Sequence, residues 1–159
     1  MNAPGIDHRR EAERILDAHA RGITLTPISD RARIDLDDAY LIQQHVTDAR
    51  LARGGRRIGW KLGYTSIAMR MQMGIDAPNF GPLTDAMLLD DGGTVATLVP
   101  TTTQPRVEPE VALRFGNDVE PGADREGVLA AVASAHACLE IVDSVWTDYR
   151  FRLEDNTAD

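Results

Sequence analysis

The chain has 159 residues, of which 43% are hydrophobic and 26% charged, a composition typical of a globular protein and not of a disordered one. Its formal net charge of -8 repels the phosphates of nucleic acids, so we predict no nucleic-acid partner. The single cysteine, Cys138, excludes an internal disulfide and a multi-cysteine zinc site. The apolar stretches are too short for a membrane helix and the polar N-terminus has no signal core, so we predict a cytoplasmic protein without a membrane partner.

Two helices are predicted in the first 55 residues, which we interpret as an N-terminal helical segment. Apolar residues spaced at i, i+3 and i+4 predict a helix over residues 7–22, where Gly22 ends the pattern. A second helix is predicted over residues 36–53. Its acidic start and arginine-containing end suit the helix dipole, and Gly54 and Gly55 stop it.

The pattern changes at Arg56, and residues 56–159 are predicted to be rich in strands. Strands are expected at 56–64, 106–115 and 138–146; short helices at 65–73 and 124–137; loops at 76–82 and 116–123; and a turn at 90–93. The last ten residues, RFRLEDNTAD, are expected to form a strand that runs into a loop. The predicted fold class is therefore α+β, with Cys138 buried in the apolar run AHACLEIV.

Three glutamates form the strongest candidate site. In RVEPEVALRF the strand period of two places Glu108 and Glu110 on one face, about 7 Å apart at the backbone. They could converge on a hard divalent cation, or they could simply be a solvated strand face. Glu140 lies in the apolar segment CLEIVDS, where a carboxylate is usually paired, metal-bound or catalytic. A salt bridge to an arginine is the alternative for this residue.

Lys61 is the second unusual residue, because it is the only lysine beside sixteen arginines. It lies between Trp60 and Leu62 in a predicted strand, and a lysine near a metal and apolar walls can transfer protons. The alternative is an edge-strand lysine that discourages aggregation. The four histidines have no metal-ligand spacing and are interpreted as structural.

The segments GWKLGYTSIAMRMQMGIDAPNFGPLTDAML, QPRVEPEVALRF and LEIVDS, in this order, resemble the fumarylacetoacetate hydrolase superfamily. Within it the chain resembles the 4-oxalocrotonate decarboxylase and 2-oxopent-4-enoate hydratase branch. The resemblance is weak over the first 55 residues and strong from Gly59 to Asp159. It implies N-terminal helices followed by part of a mixed β-sandwich roll over residues 56–159, which is C-terminally short because family members continue well beyond this point.

The resemblance also implies a function. Mg²⁺ or Mn²⁺ is expected on Glu108, Glu110 and Glu140, and Lys61 is expected to move a proton or orient the substrate. The substrate would be a 2-oxo acid of aromatic meta-cleavage catabolism, whose 2-oxo and carboxylate oxygens bind the metal while a proton or carbon dioxide leaves. The expected protein partner is a second copy of the chain, a related hydratase or decarboxylase, or a C-terminal complementing chain.

One departure from the family pattern guides the choice of reaction. Hydratases of the branch typically carry an aspartate in the loop where this sequence has Asn79, and an amide cannot shuttle a proton at neutral pH. Asp76 is the acidic residue of that loop, and both residues are candidates for contact with substrate. We therefore predict 4-oxalocrotonate (2-oxo-3-hexenedioate) decarboxylase, with the hydratase or a truncated non-catalytic partner subunit as alternatives.

Overall fold

A computed structural model describes residues 5–89, 91–92, 94 and 101–159, and these form an α+β protein, as predicted. The helices are α1 (His8–Arg21), α2 (Leu36–Ala52), α3 (Ile67–Met73), α4 (Arg125–Ala131) and α5 (Leu153–Ala158), and the strands are β1 (Arg57–Gly63), β2 (Asn79–Thr84), β3 (Arg106–Phe115) and β4 (Val132–Val142). Short 3-10 turns occupy Ile28–Asp30, Asp85–Met87 and Thr147–Tyr149. Every helix in these ranges is too short or too polar to cross a membrane.

The first two helices begin and end within one residue of their predicted bounds, because the sequence carries their caps. The Asp7 side chain accepts a hydrogen bond from the backbone N–H of Arg10 at the start of α1. Gly22 ends that helix in the left-handed conformation, with φ of 60°. Asp35 and Asp38 form a reciprocal capping box at the start of α2.

The core lies in the first of two compact units, which comprises residues 1–104 and 144–159. Its fully buried apolar side chains come from α1, α2, the first 3-10 turn and the end of the chain: Ala12, Ile15, Ala18, Ile28, Ala39, Ile42, Val46, Val145, Trp146 and Ala158. The helices α1 and α2 therefore pair as expected, and residues from the far end of the sequence complete their packing.

The predicted strand and loop at the end of the chain are wrong, because residues 153–158 form helix α5. Asp155 is fully buried and accepts hydrogen bonds from the backbone N–H of Ser29 at 2.9 Å and from its hydroxyl at 2.6 Å. The Trp146 indole N–H donates to the backbone carbonyl of Asp155 at 2.9 Å. The helix is thus stabilised by polar contacts with distant residues, which its own sequence pattern does not reveal.

The second compact unit, residues 105–143, contains an antiparallel pair of strands, β3 and β4. The bounds of β3 are as predicted, but the predicted helix over 124–137 is wrong in its second half, because β4 begins at Val132. The alanine-rich run VASAHA has helical propensity, which pairing with β3 overrides. Cys138, predicted to be buried, is exposed, since β4 lies in a ribbon whose residues are mostly exposed on both faces.

These units differ from the division that was predicted at residue 55. The helical segment packs with residues 144–159 in one unit, and β1 and β2 belong to that unit as well. The assignment of residues 56–159 to a larger β-roll remains a prediction. Residues Asp90 and Gly93 of the predicted turn lie outside the described ranges.

An ion pair within the core unit gives a pH-dependent test of the fold. Glu11 is only 6% exposed and accepts hydrogen bonds from both terminal nitrogens of Arg31 and from Arg14. Burial raises the pKa of Glu11, but hydrogen bonding and charge from Arg31, and then from Arg14, bring it below its ordinary value of 4.5. The stabilisation is therefore present above that value and lost as the pH falls below it.

We expect Glu11→Gln to lower the free energy of unfolding by about 1–3 kcal/mol at pH 7, measured by urea denaturation. The difference from the unchanged protein should shrink at pH 3.5, because below pH 4.5 the unfolded chain takes up a proton at Glu11 more readily than the folded protein does. Asp17→Asn is the control, because the Asp17–Arg21 pair is exposed and should contribute less than about 1 kcal/mol. An equal loss of stability for Glu11→Gln at both pH values would contradict the assignment.

Candidate metal centre

The three predicted glutamates meet on one face of the β3–β4 ribbon. Glu108 lies directly opposite Glu140 in the antiparallel register, and Glu110 lies opposite Cys138, two residues further along. One carboxylate oxygen from each glutamate lies within 4.8 Å of the others. In the described ranges, no other group of three histidine, cysteine or acidic side chains is close enough to share a metal ion.

Alternation along both strands places the three glutamates on one face, together with Ala112, Cys138 and Val142. The opposite face carries Val107, Val111 and Leu113 on β3, with Leu139 and Ile141 on β4. A shift of one residue in either strand would place an apolar side chain among the carboxylates. The register between β3 and β4 therefore determines which side chains form the site.

The electrostatics of the cluster favour a bound cation. Like charges directly opposite each other on paired strands destabilise the pairing, and the third carboxylate adds to this repulsion. Magnesium binds oxygen ligands at about 2.1 Å, so opposite ligands of one ion lie about 4.2 Å apart. Glu108 and Glu110 are exposed, Glu140 is half-buried, and one oxygen of each lies within 4.8 Å of the others, which is close to this separation. The residues present therefore fit a hard divalent ion.

Lys61 lies on β1, in the first unit, opposite Gly81 of β2. Its neighbours on the same strand face are Gly59 and Gly63, and its alkyl chain lies across Gly81, where an added Cβ would be 3.6 Å from the lysine Cγ. Trp60 and Leu62 point to the other face. The face that carries Lys61 also holds Leu83, Gly81 and Asn79 of β2.

The aromatic residues lie on the other face of the β1–β2 pair. Trp60 packs edge-on against Phe80, with ring centroids 5.6 Å apart, and Arg57 places its guanidinium 4.9 Å from the centre of the Trp60 ring. Phe80 also stacks on Tyr40 of α2 at 4.7 Å. These contacts join the strand pair to the helical core and so help to hold the backbone on which Lys61 is carried.

The predicted loop over residues 76–82 is wrong from Asn79 onward, because β2 begins there and pairs with β1. Asn79 is only 7% exposed, and its amide nitrogen donates to the side chains of Asn156 and Thr157, each at 3.1 Å. Asp76 is exposed and precedes the strand. Asn79 therefore joins β2 to α5, while Asp76 is accessible from solvent.

Gln43 is a residue that the sequence analysis missed. Its side-chain amide donates to the backbone carbonyls of Phe80, at 3.0 Å, and Thr157, at 2.8 Å. One amide of α2 thus holds both β2 and α5. The residue lies in a polar part of the helix sequence, and no local signal distinguishes it from its neighbour Gln44.

Gly63 and Asn79 give a test of this arrangement. A Cβ on Gly63 would collide with the Asn79 side-chain oxygen, so we expect Gly63→Ala to lower the free energy of unfolding by about 1–3 kcal/mol. Asn79→Ala should also destabilise the protein because it removes two hydrogen bonds. The double variant should lose less than the sum of the two, by about 0.5–3 kcal/mol, because the collision is then absent.

Urea denaturation of the four proteins measures this coupling. Gly59→Ala is the matched control, since nothing lies within 4 Å of a Cβ at that position, and its effect on stability should be small. Strictly additive losses for Gly63→Ala and Asn79→Ala would show that the two side chains do not compete for the same space.

Comparison with known proteins identifies relatives that match most of this chain. No protein-family model matches it. The chain is 37% identical to the 2-hydroxyhexa-2,4-dienoate hydratase of Comamonas testosteroni over 94% of its own length and 57% of the hydratase. It is 38% identical to the 2-hydroxypent-2,4-dienoate hydratase of Pseudomonas putida, over 86% of the chain and 62% of the relative. It is 33% identical to a 4-oxalocrotonate decarboxylase of a Pseudomonas species, covering 94% and 58%.

Solved structures agree with these relatives. The 4-oxalocrotonate decarboxylase of Pseudomonas putida G7, complexed with magnesium and adipate, matches 95% of this chain with a TM-score of 0.85 and 27% identity. The same enzyme complexed with calcium and acetate matches with a TM-score of 0.80. The chain covers 57% of the decarboxylase in both cases. The chain is therefore similar to proteins of the 4-oxalocrotonate decarboxylase and 2-oxopent-4-enoate hydratase branch, as its motifs predicted, and spans a little over half the length of these relatives.

Proposed function

We propose that this protein is a divalent-metal-dependent lyase for 2-oxo acids of aromatic meta-cleavage catabolism, with 4-oxalocrotonate decarboxylase as its reaction. The observation that carries the proposal is the convergence of Glu108, Glu110 and Glu140 on one strand face. Support comes from the similarity to a decarboxylase that binds magnesium and adipate.

In this proposal Glu108, Glu110 and Glu140 hold Mg²⁺ or Mn²⁺. Three carboxylates leave several positions of a six-coordinate ion for the substrate and water. When bound, the ion supplies electron withdrawal from the 2-oxo group of the substrate. The role of the protein is to keep the three ligands together on a ribbon whose register sets their spacing.

Lys61 is proposed to donate the proton that replaces carbon dioxide, or to orient the substrate. Its ammonium group is carried on an exposed side chain, and the glycines that flank it leave the surface above the strand open. A lysine held in such a position can exchange a proton with a small ligand. This role rests on the motif match of the segment that contains Lys61.

The choice of decarboxylase over hydratase rests on position 79. A hydratase benefits from an ionisable group that delivers a proton and activates water, whereas Asn79 is buried and both its amide hydrogen bonds go to α5. Decarboxylation requires less, because the departing carbon dioxide leaves an electron pair that water or Lys61 can protonate. The runner-up is 2-oxopent-4-enoate hydratase, favoured by the 37–38% identity to two named hydratases.

The proposed partner is a protein chain that covers the apolar face of the ribbon. Val111 and Leu139 on this face are 69% and 70% exposed, and burial of such side chains is worth about 1.5–3 kcal/mol each. A second copy of the chain, a related hydratase or decarboxylase, or a C-terminal complementing chain could provide the cover. The alternative of a non-catalytic partner subunit has the same requirement.

The metal ligands can be tested by titration calorimetry with Mn²⁺. Glu108→Gln and Glu110→Gln should each weaken binding at least about tenfold, because an amide is a poorer ligand than a carboxylate for a hard cation. Glu120→Gln is the matched control, since Glu120 lies in the loop after β3. Unchanged affinity in both β3 variants would reject the assignment.

The reaction can be tested on one preparation of the protein with Mg²⁺ or Mn²⁺. We expect carbon dioxide release from 2-oxo-3-hexenedioate to exceed the loss of absorbance of 2-hydroxypenta-2,4-dienoate, each tenfold preference corresponding to about 1.4 kcal/mol. Lys61→Met should lower turnover about a hundredfold with little change in melting temperature, because the side chain is exposed.

Each outcome of this comparison has a separate meaning. Faster hydration would favour the hydratase. Retained turnover in Lys61→Met would reject the role of the lysine. If the protein catalyses neither reaction, the result would favour the non-catalytic subunit. Such a subunit should bind Mn²⁺ without turnover.

A further inference from the structure

The glutamate face of the ribbon has a basic end in addition to its acidic cluster. Beyond Glu110 and Cys138, the next pair on this face is Ala112 opposite His136, followed by Arg114 opposite Ser134. Arg114 is exposed and has no ion pair with any residue in the described ranges. The face therefore runs from three carboxylates to a guanidinium group, with Ala112 on β3 and Cys138 and His136 on β4 between them.

The spacing suits a small molecule with a charge at each end. Arg114 lies four positions beyond Glu110 on β3, which places their Cα atoms about 14 Å apart. The glutamate and arginine side chains can each lean inward and shorten this gap. The remaining distance between the carboxylates and the guanidinium is comparable to the length of an extended six-carbon dicarboxylate. Ala112 and Cys138 leave room above the strands for the carbon chain of such a ligand.

We propose that Arg114 binds the distal carboxylate of a dicarboxylate substrate whose 2-oxo acid end is held at the glutamates. The proposal rests on the metal site and lyase function proposed above, and deepens them by naming the residue that would hold the distal carboxylate of 2-oxo-3-hexenedioate. A guanidinium group binds a carboxylate through two parallel charge-assisted hydrogen bonds. Arg114 is then the residue that separates a six-carbon diacid from a monoacid of equal length.

Two features favour Arg114 over the other basic groups of this face. The strand register shifts immediately after it, between Arg114 and Phe115, and such irregularities redirect side chains and often adjoin active sites. Arg106 is only two residues from Glu108, too close to the cluster for the far end of an extended ligand. The imidazole of His136 is already hydrogen-bonded to Ser134 at 2.8 Å.

The test compares two ligands that differ only at the distal end, 2-oxoadipate and 2-oxohexanoate. Their affinities for the Mn²⁺-loaded 159-residue protein are measured by titration calorimetry. We expect a preference of about tenfold for the diacid, the size of one charge-assisted interaction at an exposed site. Arg114→Met should remove the preference while leaving the affinities for Mn²⁺ and 2-oxohexanoate unchanged, and Arg114→Lys should keep part of it.

Arg125→Met is the matched control, because Arg125 is an exposed arginine on α4 of the same unit and the variant has the same net charge as Arg114→Met. The control should keep the full preference. Equal losses in both variants would indicate a general charge effect and overturn the assignment, as would a protein that binds Mn²⁺ without distinguishing the two ligands. Failure to bind Mn²⁺ at all would instead reject the proposed metal site, and the Arg114 proposal with it.

Discussion

Two carboxylates that face each other across an antiparallel strand pair, Glu108 and Glu140, set the main physical constraint on this protein. Side chains in such positions are neighbours, and with Glu110 they place three negative charges on one small area. Without a counterion this arrangement opposes the pairing of β3 and β4. A cation bound at the proposed site would relieve this repulsion and stabilise the paired strands, in the way that a ligand stabilises the folded state to which it binds.

The β1–β2 strand pair, which carries Lys61, is held in place by hydrogen bonds from neighbouring elements. Gln43 and Asn79 form hydrogen bonds that tie β2 to the helical core and to α5. The face around Lys61 includes glycines of both strands, which provide no side-chain packing of their own. The position of Lys61 must then be fixed by the strand backbone and by the helices that contact it. The last helix, α5, contributes directly through its hydrogen bonds with Asn79.

Local patterns predicted the elements whose signals are local. The apolar spacing that ends at Gly22, the acidic start and double glycine of the second helix, and the alternation through Glu108 and Glu110 were sufficient to place α1, α2 and β3. Prediction failed where distant pairing decides the structure. The alanine-rich start of β4 has helical propensity but pairs with β3, and Asp155 makes α5 part of the core through contacts with Ser29, 126 residues away.

The same contrast between local signals and distant pairing applies to the candidate site. That Glu108 and Glu110 share a face is a property of one strand, so the sequence revealed it directly. The position of Glu140 opposite Glu108 depends on the register between two strands, which the family resemblance supplied and the period of the sequence could not. The buried environment of Asn79 was missed because it is created by α5, an element that the sequence analysis did not predict.

The isolation of Lys61 has a consequence for the chemistry that can be performed on the protein. Since all other basic side chains apart from histidine are arginines, an amine-directed reagent has a single side-chain target, and that target is exposed over Gly81. Acylation or reductive methylation would therefore modify the proposed proton donor as the one side-chain amine of these 159 residues. An isotopic or fluorescent reporter can thus be attached beside this glycine surface without introducing a new residue.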